Sequence, residues 1–480
     1  MVNGVIVDKE QIVLNADAMR IRELVMNKEL SVVEVTKVLI DHIKKTNIEL
    51  NYLVEDRFET ALEEAENADR AIAEGNADGK LFGVPMSIKE SFDVAGLQTT
   101  GGLKRRKGFV QTKDAEVVSK LRAEGAIILG KTNTPELCFC QETDNKLYGR
   151  TNNPHNVNRT VGGSSGGEGA IIAVGGAAAG LGSDIGGSIR FPSHFNGIVG
   201  FKPGNNQVSQ IGSYPFVGDP FQQRMLGIGP MTKSVRDAKY LYSIISQEPV
   251  VKKDIDQFTI NVFRTTQYPL SDETTLLLNN VYLHMKETLK TEREPIPYFD
   301  ESALLWQEIM SIDGGEGTIV EAFGNRRGNV YREYSKELLN GRSDIHRYLS
   351  WALIGASLFK PSKKRIREIG EILKKGDAKV SAYLDNRIVI MPVYHKTAPP
   401  HGEVYQEIFS IKKTFLKYMP YVAYANTWGL PSLTVPVGKD KDGMPIGLQI
   451  IGKNGNEDAL FTVGFIIEKE FGGYVRAKIN

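Results

Sequence analysis

Cysteine is nearly absent from this chain: Cys138 and Cys140 are the only two among 480 residues. Two positions apart, they are too close for an unstrained mutual disulfide, and so low a count suits a reducing, cytoplasmic compartment. An excess of either charge is absent too. Basic and acidic side chains number 59 and 58, which leaves no electrostatic footprint for a nucleic-acid partner. Long apolar runs are missing, since none reaches the roughly 18 residues that a membrane span needs. The opening MVNGVIVDKEQIV has no basic region followed by an apolar stretch, so no signal peptide is expected there. No cluster of His, Cys or Asp has metal-ligand spacing, and neither a metal nor another cofactor is expected. Repeats and low-complexity tails are also lacking. What remains is ordinary globular composition, 41% hydrophobic and 24% charged, with length for two to three domains or one large one.

Four textures follow one another along the chain. Residues 15–75 read as helical, and SVVEVTKVLIDHIKK offers Ser31 as N-cap with Glu34 three residues on, a capping-box pattern. Residues 81–245 alternate short apolar runs with helix-like stretches, the pattern of an α/β sheet. Within them, 161–204 is exceptionally dense in Gly, Ala and Ser, more than packing alone usually demands. Residues 247–400 are more charged and irregular and read as a variable cap or insertion. Residues 420–475 return to the core texture through GLPSLTVPVG and GMPIGLQIIG.

Two motifs match by letter and fail on context. GAIILGKT (125–132) fits a phosphate loop, but its middle residues want burial in a strand and a helix precedes it. GGSSG (162–166) fits a nucleophile elbow, yet the preceding TNNPHNVNRTV reads as a polar, turn-prone loop rather than a strand.

SDIGGSIRFP (183–192) carries more chemistry. Gly186 and Gly187 can turn successive N–H groups toward one point, with Ser188 directly after them. Ser188 would attack a carbonyl while the N–H groups of Ile185, Gly186, Gly187 and Ser188 receive the oxyanion; the bland alternative is a tight strand-to-helix turn. No histidine stands where a serine hydrolase usually shows its base. A neutral lysine can take that place, and Lys89 lies in the apolar GVPMSIKESFD. At an ordinary pKa near 10.4, about one lysine in 2,500 is neutral at pH 7; a shift of about 3 units costs about 4 kcal/mol, which burial supplies. Ser164 would bridge Lys89 and Ser188 as a proton relay.

The run GGSSGGEGAIIAVGGAAAGLGSDIGGSIRFPSHFNGIVGFKPG closely resembles the amidase signature family of Ser-Ser-Lys hydrolases. Glu168 and DIGGSIRFPS look most like its fatty acid amide hydrolase branch. GVPMSIKESFDVAG, LGKTNTPEL, GIGPMTKSVRDA, NTWGLPSLTVPVG and GMPIGLQIIG extend the likeness over nearly the whole chain, and the 24-residue separation of Ser164 and Ser188 matches. The resemblance implies one amidase-signature domain over 1–480, an α/β fold with a large mixed, twisted sheet wrapped by helices. It implies hydrolysis of a small-molecule amide, and an N-acyl amide in particular, through an acyl-enzyme on Ser188. Lys89 matches the family base and Ser164 the bridging serine in a cis peptide, while Ile185 to Ser188 match the oxyanion segment. Asp184 and Arg190 match positions that buttress the loop. Cys138 falls at a pocket position; it is otherwise a small buried hydrophobe.

Val161, KPGNN and His194 depart from the family pattern, and they blur the substrate without touching the triad. Two rivals stay open: the glutamine-hydrolysing subunit of a tRNA-dependent amidotransferase, and a general small-amide amidase. The former usually reads Asp-Thr-Gly-Gly-Ser and Ile-Arg-Gln-Pro, against Ile185 and Phe191 here. Last, RYLSWALIGASLFKPSKKRIREIG (347–370) runs from apolar to basic. It suits either a peripheral contact with a membrane surface or a cap over the site. Oligomeric state is left open.

Overall fold

In the computed structural model the structure describes residues 9–264, 269–324, 328–409 and 415–479, with backbone alone at 408, 409 and 415–417. The first eight residues of the leaderless N-terminal reading lie outside it. The helix Val32–Leu50 starts as its sequence directs: Ser31 Oγ accepts from Glu34 N at 2.9 Å, and Ser31 N donates to Glu34 Oε2 at 2.8 Å. Replacing Ser31 by Ala would cost about 1 kcal/mol.

One mixed sheet organises the chain. Its eleven strands lie in the order Leu53–Asp56, Ile127–Thr132, Pro85–Lys89, Ala179–Asp184, Gly227–Thr232, Val199–Lys202, Ser432–Lys439, Pro445–Ile451, Arg387–Pro392, Thr259–Val262 and Thr291–Glu292. Pro85–Lys89 runs parallel to both its neighbours, whereas the central strands from Ala179–Asp184 to Arg387–Pro392 pair antiparallel. The apolar runs of 85–89 and 127–132 are buried along their whole length, as strands covered on both faces must be. One apolar cluster packs the first half of the sheet against the N-terminal helices, and a second packs the other half against the helix Glu457–Phe471.

Residues 247–400 divide between two roles. Thr259–Val262, Thr291–Glu292 and Arg387–Pro392 extend the far edge of the same sheet. Helices Glu316–Phe323, Val330–Asn340 and Arg347–Leu358 instead gather around a small apolar cluster that includes Leu137, Val330, Leu349 and Leu353, while Ser302–Met310 packs through Leu305 and Ile309 against Tyr421 and Tyr424. The periodicity of that segment hides the three strands because they are short and separated by helices.

The decoys resolve. Helix Glu116–Ala123 precedes the GKT strand, and buried Lys131 donates to Gln98 O and to Thr99 Oγ1, leaving no phosphate cradle. TNNPHNVNRTV differs from its loop reading: Asn152–Asn153 pairs with Asn156–Thr160 as a small hairpin apart from the main sheet. Its asparagines form the ladder because Asn153 Nδ2 ties the turn to Thr160 O and Phe195 O, a contact that local polarity does not reveal.

Candidate active site

Parallel pairing brings the site together. Met86, Ser87 and Ile88 sit opposite Ala179, Gly180 and Leu181, so Lys89 and the loop after Asp184 leave the sheet at the same edge. Crevices outside carboxyl strand ends are the usual ligand sites of α/β sheets. Lys89 is fully buried there, and Nζ donates to Ser164 Oγ at 2.7 Å and Ser183 Oγ at 2.9 Å. Burial pushes the Lys89 pKa down, while the Cys138 thiol and the Asp184 and Glu168 carboxyls pull against that shift. Sequence reasoning missed Ser183. Its signal is the strand register, which sets Ser183 two residues past Leu181, the last residue paired with Lys89's strand.

Ser164 follows a cis Gly163–Ser164 peptide. Ser165 N donates to Ser188 O at 3.1 Å, which fastens the two serine loops together. The glycine density that looked excessive for packing has a packing cause after all. A Cβ on Gly163 would lie 2.7 Å from Cys140 O, and one on Gly167 would lie 2.4 Å from Asn133 N. Helix Gly166–Ala173 is buried on every side, so neighbouring backbones approach it directly. From that helix Glu168 accepts from Ser87 Oγ at 2.6 Å and Thr132 Oγ1 at 2.8 Å, and burial pushes its pKa up to about 8.

Asp184 and Arg190 hold the loop between them. Arg190 Nε and Nη2 reach Asp184 Oδ2 and Oδ1 at 2.9 and 3.0 Å, a bidentate pair with neither side chain exposed. Burial opposes the charge on Asp184, and the Arg190 guanidinium overrides it, holding the carboxyl well below its usual range. Asp184 also accepts from Gly187 N at 2.8 Å and Ile189 N at 3.1 Å. The 185–188 segment expected to hold an oxyanion therefore divides. The N–H of Gly187 is engaged by Asp184, whereas those of Ile185, Gly186 and Ser188 have no protein acceptor among the described residues. Positive φ at Gly187, 94°, makes that inward turn accessible to glycine.

A cavity of about 460 Å³ opens over these groups, with Ser164, Ser183, Ile185, Gly186, Ser188 and Cys138 in its lining. Cys138 follows Leu137, both at positive φ, and its thiol is 3.4 Å from Thr134 Oγ1. Leu137, Phe139, Trp306, Met310, Ile312 and Trp351 give the cavity its apolar wall. Helix Arg347–Leu358 is part of that wall through Trp351, Ala352, Gly355 and Ala356, so 347–358 caps the site. Beyond it, Lys360 pairs with Glu316 and Arg365 with Glu308, which ties part of the basic cluster to the cap. None of the seven histidines lines the cavity. His194 is buried outside it, accepting from Gly447 N at 2.8 Å and facing Lys396 O at 2.9 Å, so it joins backbone segments away from the cavity. Among the described residues no helix is long and apolar enough to cross a membrane.

The chain is similar to known proteins over most of its length. The sequence model described as Amidase matches residues 34–273 and 359–461. The chain is 32% identical over 492 residues to fatty-acid amide hydrolase 2-B of Danio rerio, spanning 96% of this chain and 90% of the relative. It is 30% identical to a glutamyl-tRNA(Gln) amidotransferase subunit of Prochlorococcus marinus, spanning 93% of this chain and 96% of the other. A solved fatty acid amide hydrolase superposes with a TM-score of 0.82 at 22% identity, over 98% of this chain and 87% of that one, which shows the shared fold. By fold, by family match and by relatives aligned over nearly its whole length, the chain belongs to the amidase signature family and is an amide hydrolase.

Proposed function

We propose that the cavity hydrolyses N-acyl amides with long apolar acyl groups, through an acyl-enzyme on Ser188. The observation that carries this reading is the buried Lys89 Nζ, 2.7 Å from Ser164 Oγ, where Ser164 and Ser188 both line an apolar cavity. Neutral Lys89 takes the Ser164 proton while Ser164 takes that of Ser188, and Ser188 Oγ bonds to the carbonyl carbon. The carbonyl π pair moves to oxygen, where the free backbone N–H groups of the 185–188 loop stabilise it. As the C–N bond breaks, the proton returns through Ser164 to the leaving amine. Water then repeats the relay, and the acid departs.

The apolar wall supports a long acyl group. Each methylene buried along it contributes about 0.8 kcal/mol, near fourfold in transition-state binding, until the wall ends. The test is a series from acetyl to dodecanoyl anilides, together with glutamine, assayed with this chain alone. We expect kcat/KM to climb with acyl length and glutamine to be a poor substrate. A flat or falling series leaves a general small-amide hydrolase, and efficient glutamine hydrolysis favours the amidotransferase-like reading. Leu358 and Phe216, 66% and 61% exposed, lie beside or in the cavity lining, with Lys363 and Lys364 close by in sequence. They support peripheral contact of this rim with an anionic lipid surface. Cosedimentation with anionic vesicles that is unchanged by Leu358→Ser with Phe216→Ser would remove that contact.

A further inference from the structure

Besides Asp184, Arg190 and Gln141, the loop that carries Ser188 is held by a side chain 121 residues away. Trp306, on helix Ser302–Met310, donates its indole N–H to Ile185 O at 2.7 Å. The Ile185–Gly186 peptide is trans, since the cis bonds lie elsewhere. In a trans peptide the C=O and the N–H point to opposite sides. Fixing Ile185 O on the indole thus fixes the direction of Gly186 N–H, which has no protein acceptor among the described residues. The next peptide is fixed independently, with Gly186 O accepting from Gln141 Nε2 at 3.2 Å and Gly187 N donating to Asp184. Gly186 also packs against the Trp306 ring. A Cβ there would come within 2.5 Å of Trp306 Cζ2, so only glycine lets ring and loop approach this closely.

We infer that Trp306 is a positioning residue for the oxyanion site, aiming the Gly186 N–H through its hydrogen bond to Ile185 O. This rests on the reading of Ser188 as nucleophile. Without the indole N–H, rotation of the Ile185–Gly186 peptide swings the Gly186 donor off the developing oxyanion. Ground-state binding of the acyl chain depends on the wall instead, so the loss falls on the transition state.

Trp306→Phe keeps an aromatic ring in the wall and removes only the donor. We expect kcat on a dodecanoyl anilide to fall about 10- to 100-fold, somewhat less than outright loss of an oxyanion donor, with KM within about twofold. A dodecyl trifluoromethyl ketone forms a Ser188 Oγ–carbon bond and moves the carbonyl π pair onto oxygen. Its affinity should fall by the same factor as kcat, while that of 1-dodecanol, which has no carbonyl, should not change. A kcat at the wild-type level, or an equal loss of affinity for the alcohol, overturns the inference. A second variant guards against a local packing defect in the first. Gly186→Ala pushes the indole off Ile185 O and should lose as much as Trp306→Phe. The two together should lose little more than either alone, and additive losses count against the coupling. Ser188→Ala separates the levels. Should it keep turnover, the reading beneath the inference falls; should it be inactive while Trp306→Phe is normal, the inference alone falls.

Discussion

Between Val161 and Arg190 every residue is buried except Ser183 and Ile185, and those two face the cavity. Between Ser302 and Phe359, by contrast, Leu304, Tyr331, Leu338, Leu339 and Leu358 are large apolar side chains left exposed. The floor is held by hydrogen bonds and direct backbone approach: Asp184 alone accepts from Gly187, Ile189, Arg190 and Asn426. The wall is held by apolar contact around Leu349, Leu353 and Val330, which has no directional demand. In the proposed mechanism, a floor without slack fixes where charge develops. A wall of apolar contacts fixes only what shape fits beside it. Substitutions in the floor should therefore cost rate, and substitutions in the wall should redirect preference, except at Trp306, whose indole N–H reaches the floor at Ile185 O.

The sharpest break is Ser188→Ala. We expect turnover to fall by about five to six orders of magnitude, as for other nucleophile deletions, with thermal unfolding close to wild type because one hydroxyl is removed. Activity near the wild-type level would show that the floor is not where the chemistry occurs.

Lys89→Met should cost about 10²- to 10⁴-fold, the range of general-base catalysis, and Ser164→Ala less, since water can stand in for a relay. A harmless Ser164→Ala beside a severe Lys89→Met would replace the relay by direct transfer. The pH dependence follows from the lowered Lys89 pKa, whose main cause is burial. In the proposed relay, acylation needs the neutral amine, so kcat/KM should rise with pH through an ionisation below the ordinary lysine value of 10.5. For stability, the unfolded chain binds the Lys89 proton and the folded one does not, between the lowered pKa and 10.5. Stability from this group therefore rises with pH across that window. Urea midpoints for the wild type and Lys89→Met should converge toward alkaline pH; a constant gap would place a charged lysine in the fold.

The smallest effect belongs to the wall. Trp351→Ala should lower kcat/KM for a dodecanoyl anilide about tenfold by removing apolar contact, and leave the acetyl anilide within about twofold. Equal losses on both substrates would mean that wall and floor are one rigid unit.

Some of this molecule follows from local rules. The capping pair Ser31 and Glu34, the buried strands at 85–89 and 127–132, and the paired strands Ser432–Lys439 and Pro445–Ile451 depend on dihedral preference and short-range periodicity, which neighbouring residues carry. The spacing of Lys89, Ser164 and Ser188, and the glycines before Ser188, are also legible, because the chemistry restricts which residue types can stand there. Other features were decided only by closure of the sheet. Ser183 meets Lys89 because two strands separated by 94 residues pair in one register. Gly187 gives its N–H to Asp184, although its sequence offers it equally to substrate, because the bidentate Arg190 pair holds the carboxylate beneath the loop. Trp306 reaches Ile185 O across 121 residues, and Arg387–Pro392 joins the sheet at its far side. Each of these is a contact between segments whose separation exceeds any local pattern, and only the folded backbone sets the distance across which a hydrogen bond can form.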